Sequence, residues 1–129
     1  MQRLWWRWGC GCAALAVVLS WNLRPVYAVK EFRDEFVRKY VKADANSLWK
    51  TKVSEAKCSI CHIADQPKEN RNEYGQALAR LVKKTDKKDR HKIAAALEKV
   101  AARKARAADP KAPTFGELIK QGKLPASGQ

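Results

Sequence analysis

The chain has 129 residues, with 27 Lys and Arg against 13 Asp and Glu, for a net charge of +14. A chain this short supports one domain with a thin core. Its four cysteines include two before residue 13, which leaves too few for a disulfide framework in the remainder.

Met1 to Ala28 reads as a secretory signal peptide. Arg3 and Arg7 form the basic region, Ala13 to Leu19 a short apolar run, and Val26-Tyr27-Ala28 a cleavage site with small residues at its key positions. The apolar run is far shorter than the roughly 20 residues that span a bilayer, which argues against an uncleaved anchor. Cleavage removes four of five tryptophans, Cys10, Cys12 and the only methionine. The remaining 101 residues, Val29 to Gln129, carry 24 basic against 13 acidic side chains, a charge of +11, and keep Cys58 and Cys61 as the only thiols. The expected location is periplasmic or otherwise extracytoplasmic.

Helical spacing of Phe32, Phe36, Val37, Tyr40 and Val41 predicts a first helix between Lys30 and Lys42. Asp44, Asn46 or Ser47 caps a second, through Leu48, Trp49 and Val53. It runs into Cys58-Ser59-Ile60-Cys61-His62, the pattern C-x-x-C-H. Two thiols at this spacing each reach one vinyl group of a haem, and the next imidazole comes to lie under the iron. A zinc site would need a fourth separated ligand beyond Cys58, Cys61 and His91, and a second C-x-x-C pair, the stronger zinc signal, is absent. A thioredoxin-like dithiol would need strands that the pattern does not provide. A disulfide across so small a loop would stabilise little.

Ala64 to Arg71 is polar and reads as loop. Asn72 caps a third helix whose apolar face is Tyr74, Ala77, Leu78, Leu81 and Val82. Gly75 either lets backbone approach the haem face or is a tolerated first-turn glycine. Asp86 or Asp89 starts a fourth, alanine-rich helix with Ile93, Leu97, Val100 and Ala101 inward, ended by Asp109-Pro110. Thr114 caps a short last helix, Phe115 to Gln121, with Gly122 ending it, and the tail after about residue 124 is expected to fray. The prediction is a single all-α domain over 29–129.

In this arrangement the chain resembles the small monohaem c-type cytochromes. The likeness in architecture covers the mature chain, and only C-x-x-C-H within it is specific. The resemblance implies a cytochrome c-like helical fold around one thioether-linked haem c held by Cys58 and Cys61, with His62 as proximal iron ligand. It implies one-electron transfer between redox proteins, with no substrate turned over. Many members use a distal methionine, and the mature chain has none. The distal side is then His91, the only other histidine, or a lysine or tyrosine such as Lys68 or Tyr74, or an open site. An open iron would bind a small gas or peroxide, the alternative function. His91 also has a plainer reading as a solvated residue of a basic run, and Trp49 is either a donor near the haem propionates or a core residue.

Eleven Lys or Arg against three acids between Arg80 and Arg106 suit either a solvated helix face or docking to acidic redox partners. Peripheral contact with anionic lipid is a further option. Export and the lack of aromatics among the charges argue against nucleic acid.

Overall fold

A computed structural model describes residues 29–128. The expected signal peptide, 1–28, lies outside the described residues. Five α-helices follow one another: α1 Lys30–Tyr40, α2 Ser47–Ala56, α3 Glu73–Ala79, α4 Arg90–Ala101 and α5 Phe115–Lys120. Short 3-10 turns occupy Lys57–Ile60, Lys84–Lys88 and Pro125–Gly128. Among the described residues there is no strand, only two isolated bridges, His62 with Arg71 and Lys104 with Thr114. The all-α class stands.

Helices α2 to α5 begin where short polar side chains satisfy their first free N–H groups. Asn46, Asn72, Asp89 and Thr114 each accept from a backbone N–H in the first turn. Helix α5 carries a full capping box, with Glu117 accepting from the Thr114 N–H in return. It ends in a Schellman motif: Gly122 has φ +68°, its N–H reaches the Ile119 carbonyl, and the Lys123 N–H reaches Leu118.

Helix α4 is the hub, packed against α1, α3 and α5. Its Ile93, Leu97 and Val100 are almost fully buried, and Ala96 joins them in place of the half-buried Ala101. Phe36 of α1, Tyr74 of α3 and Phe115 of α5 form an edge-on aromatic run, with centroids 5.9 and 5.1 Å apart. Trp49 belongs to this core, and its indole N–H donates to the Tyr40 carbonyl at 3.0 Å.

One expectation needs correction. Helix α4 stops at Ala101, well before Asp109-Pro110. There the chain turns back so that the Ala105 N–H meets Pro113 and the Phe115 N–H meets Arg103, burying Ala105 and Ala112. Those long-range bonds replace the next helical turns. The tail past residue 124 turns in a 3-10 bend with Pro125 fully buried.

Candidate haem attachment site

The C-x-x-C-H segment begins where α2 is brought to a stop. Lys57 takes φ 45° and ψ −109°, a backbone setting that side chains rarely adopt, and it swings the chain out of the helix. Cys58 follows within a 3-10 turn that touches α1, α2 and the C-terminal bend. Ile60, with no exposed surface, anchors that turn in the core. The N–H groups of Cys61 and His62 both donate to the Cys58 carbonyl, at 3.1 and 3.0 Å. The motif is therefore wound around one carbonyl, with Cys58 exposed and Cys61 partly buried, both as free thiols.

The loop after the motif closes on itself. His62 bridges Arg71, and the Ile63 N–H donates to the Asn70 carbonyl at 3.0 Å. Asn72 then ties the neck of this loop to the motif. Its Oδ1 accepts from the Gly75 N–H at 2.9 Å, which turns its Nδ2 toward the carbonyls of Ser59, Ile60 and His62 at 3.1, 3.2 and 3.4 Å. Its own N–H donates to the Cys61 carbonyl at 3.2 Å. Gly75 is what allows the approach: a Cβ there would stand 1.9 Å from the Cys61 carbonyl oxygen. The backbone that Gly75 approaches is that of the motif, a contact that neither sequence reading named. The cap itself was legible in the sequence, but its grip on the motif was not. The one hint is residue type, since asparagine alone among the favoured caps carries an NH₂ donor.

Burial pushes the Cys61 thiol up to about 12, with Cys58 adding to the shift and Arg71 opposing it. Burial also lowers the His62 imidazole below its usual value, helped by Arg71, while the Lys68 backbone pulls the other way. His62 Nδ1 is buried and makes no hydrogen bond, and the Tyr74 hydroxyl is likewise buried and unpartnered. Buried polar atoms are rarely left so.

The remaining candidates lie apart. His91 is exposed at the start of α4, in a cleft of about 580 Å³ that it shares with Glu35, Lys88 and Arg90. Neither cysteine nor His62 lines that cleft. Lys68 is exposed in the loop, and Tyr74 is enclosed between Phe36 and Phe115. Among the described residues no group of three or more His, Cys, Asp or Glu is placed to hold a metal ion by itself.

The donor chemistry fits a c-type haem. Two free thiols would offer two carbon–sulfur attachments and the adjoining imidazole an iron ligand, and His62 Nδ1 is a buried polar atom without a partner. No family model, curated protein or solved structure matches the chain.

Proposed function

We propose that this chain is an exported c-type cytochrome that passes single electrons between redox partners. One haem c is held through Cys58 and Cys61, with His62 on the iron. The observation that carries the reading is the C-x-x-C-H loop, with both thiols free and its backbone tied down on the His62 side. When bound, the haem supplies a one-electron couple whose potential depends on its axial ligands and surroundings. The chain's own part is to anchor the group, fix His62 through the bridge to Arg71, and offer a basic surface to acidic partners or to anionic lipid. The leader 1–28 carries the export.

In a host that exports the chain and attaches haem, the purified protein is expected to keep its haem through acid–acetone extraction. The Cys58→Ser/Cys61→Ser double variant loses it. A wild-type protein from that host with no covalent haem overturns the proposal.

A second reading rests on the lack of any methionine after residue 1. It is a five-coordinate iron that binds a small gas or peroxide. Carbon monoxide that binds the reduced protein rapidly would favour it, and a low-spin six-coordinate spectrum, refractory to cyanide, would favour the carrier. His91→Ala tests that residue as the sixth ligand, since loss of the low-spin spectrum would identify it.

A further inference from the structure

Asn72 makes more contacts than a helix cap needs. Capping α3 uses only its Oδ1, through the Gly75 N–H. Apart from the ordinary helical bond its carbonyl accepts from the Gln76 N–H, the remaining bonds go to the motif: Nδ2 to the carbonyls of Ser59, Ile60 and His62, and the backbone N–H to Cys61. Three acceptors share two amide hydrogens, and the residue is 3% exposed, so water does not compete for them. Gly75 sits against the Cys61 carbonyl as well, at a distance that excludes any side chain. Asparagine cap and glycine thus grip successive carbonyls of the motif from one helix end.

We propose that Asn72 is a positioning residue for the haem-attachment loop, fixing its backbone from Ser59 to His62 before any group is attached. The proposal rests on the reading of Cys58, Cys61 and His62 as the attachment site. Asn72 acts through backbone alone, at Ser59, Ile60, Cys61 and His62, two of which would hold the group.

Asn72→Asp separates the two roles. A carboxylate still accepts from the Gly75 N–H, so the cap remains, but it offers no donor to the three carbonyls and repels them. Asn72→Ser, a milder change that also keeps a cap, serves if the aspartate variant does not fold. Thr114→Ala is the control, since it removes the cap of α5 and touches no part of the loop.

The first measurement uses the full chain made in a host without haem-attachment machinery. Iodoacetamide labelling of Cys58 and Cys61 is followed separately by fragment-ion mass spectrometry under native conditions. In the wild type Cys58 labels faster. Asn72→Asp or Asn72→Ser is expected to speed Cys61 labelling about tenfold, as loss of the buried hydrogen bonds opens the loop. Thr114→Ala leaves the Cys58 to Cys61 ratio unchanged. The negative charge that Asn72→Asp introduces would by itself slow thiol alkylation, so acceleration reports opening of the loop.

The second measurement is electron paramagnetic resonance of the ferric, haem-loaded protein. Variants at position 72 are expected to broaden or displace the signals of iron bound to His62, and Thr114→Ala is expected to leave them as in wild type. Unchanged Cys61 labelling, or equal effects from Thr114→Ala, overturns the role of Asn72. A wild-type chain that takes up no haem overturns the proposed function, and the labelling contrast still decides whether Asn72 sets the loop.

Discussion

Tyr74 carries a hydroxyl into a place that would suit a phenyl ring. The ring packs edge-on against Phe36 and Phe115, with no exposed surface, and its oxygen finds no partner. A buried hydroxyl without a hydrogen bond costs about 1–3 kcal/mol. Tyr74→Phe is therefore expected to stabilise the haem-free chain by about 1 kcal/mol or more, seen as a higher denaturant midpoint with an unchanged slope. A lower midpoint would show that the hydroxyl is in fact bonded. Gly75 presents the opposite case. In Gly75→Ala the new methyl meets backbone, which cannot rotate away, so α3 and the motif must part. The expected cost is about 2 kcal/mol or more, read from thermal unfolding. An alanine variant as stable as wild type would mean that the contact is not kept in solution. The C-x-x-C-H residues and the Asn72 cap were legible in the sequence, because each is a local pattern. The grip of Asn72 on Ser59, and the fit of Gly75 against Cys61, join residues more than ten positions apart, and no local pattern records that.

At the scale of elements, short polar caps were the reliable marks. Asn46, Asn72, Asp89 and Thr114 start α2 to α5, each chosen by a side-chain oxygen within reach of a free N–H. Helix ends were harder to read. Alanines 101, 102 and 105 permit more helix, yet α4 stops because Arg103 and Ala105 find partners across the turn at Phe115 and Pro113. Tertiary hydrogen bonds thus outweighed propensity. The same bonds deliver Thr114 to its capping position. Thr114→Ala breaks the capping box and is expected to cost about 1 kcal/mol, measurable as a drop in thermal midpoint without loss of helix content elsewhere. A variant with an unchanged midpoint would mean that α5 is held by Phe115 and Leu118 alone.

Over the whole molecule, acid and alkaline stability are set by different groups. His62 is lowered from 6.5 by burial, so at neutral pH it is uncharged both folded and unfolded. As pH falls below 6.5 the unfolded chain takes up a proton that the folded one resists, and stability declines. Asp86 and Glu98, lowered by Lys92 and Lys39, and Glu117, lowered by Thr114, add to that loss only once pH falls past their usual values of 3.8 and 4.5. All three are solvent-exposed surface groups, so their contribution is small. On the alkaline side, burial raises Cys61 from 9.0 to about 12 and Tyr40 from 10.0 to about 12. Above pH 9 the unfolded thiol ionises while the folded one cannot, and the phenol follows above 10, so stability falls again. The haem-free chain is thus expected to show a plateau of denaturant midpoint between about pH 6.5 and 9, with a decline on both sides. Cys61→Ser removes the ionisable group, so its midpoint should hold steady from pH 9 to 10 and fall only above 10, where the unfolded chain ionises Tyr40 and Tyr74 and the folded one resists. A wild-type midpoint that stays flat through pH 10 would show that Cys61 ionises without hindrance, and hence that its sulfur faces solvent beside Cys58.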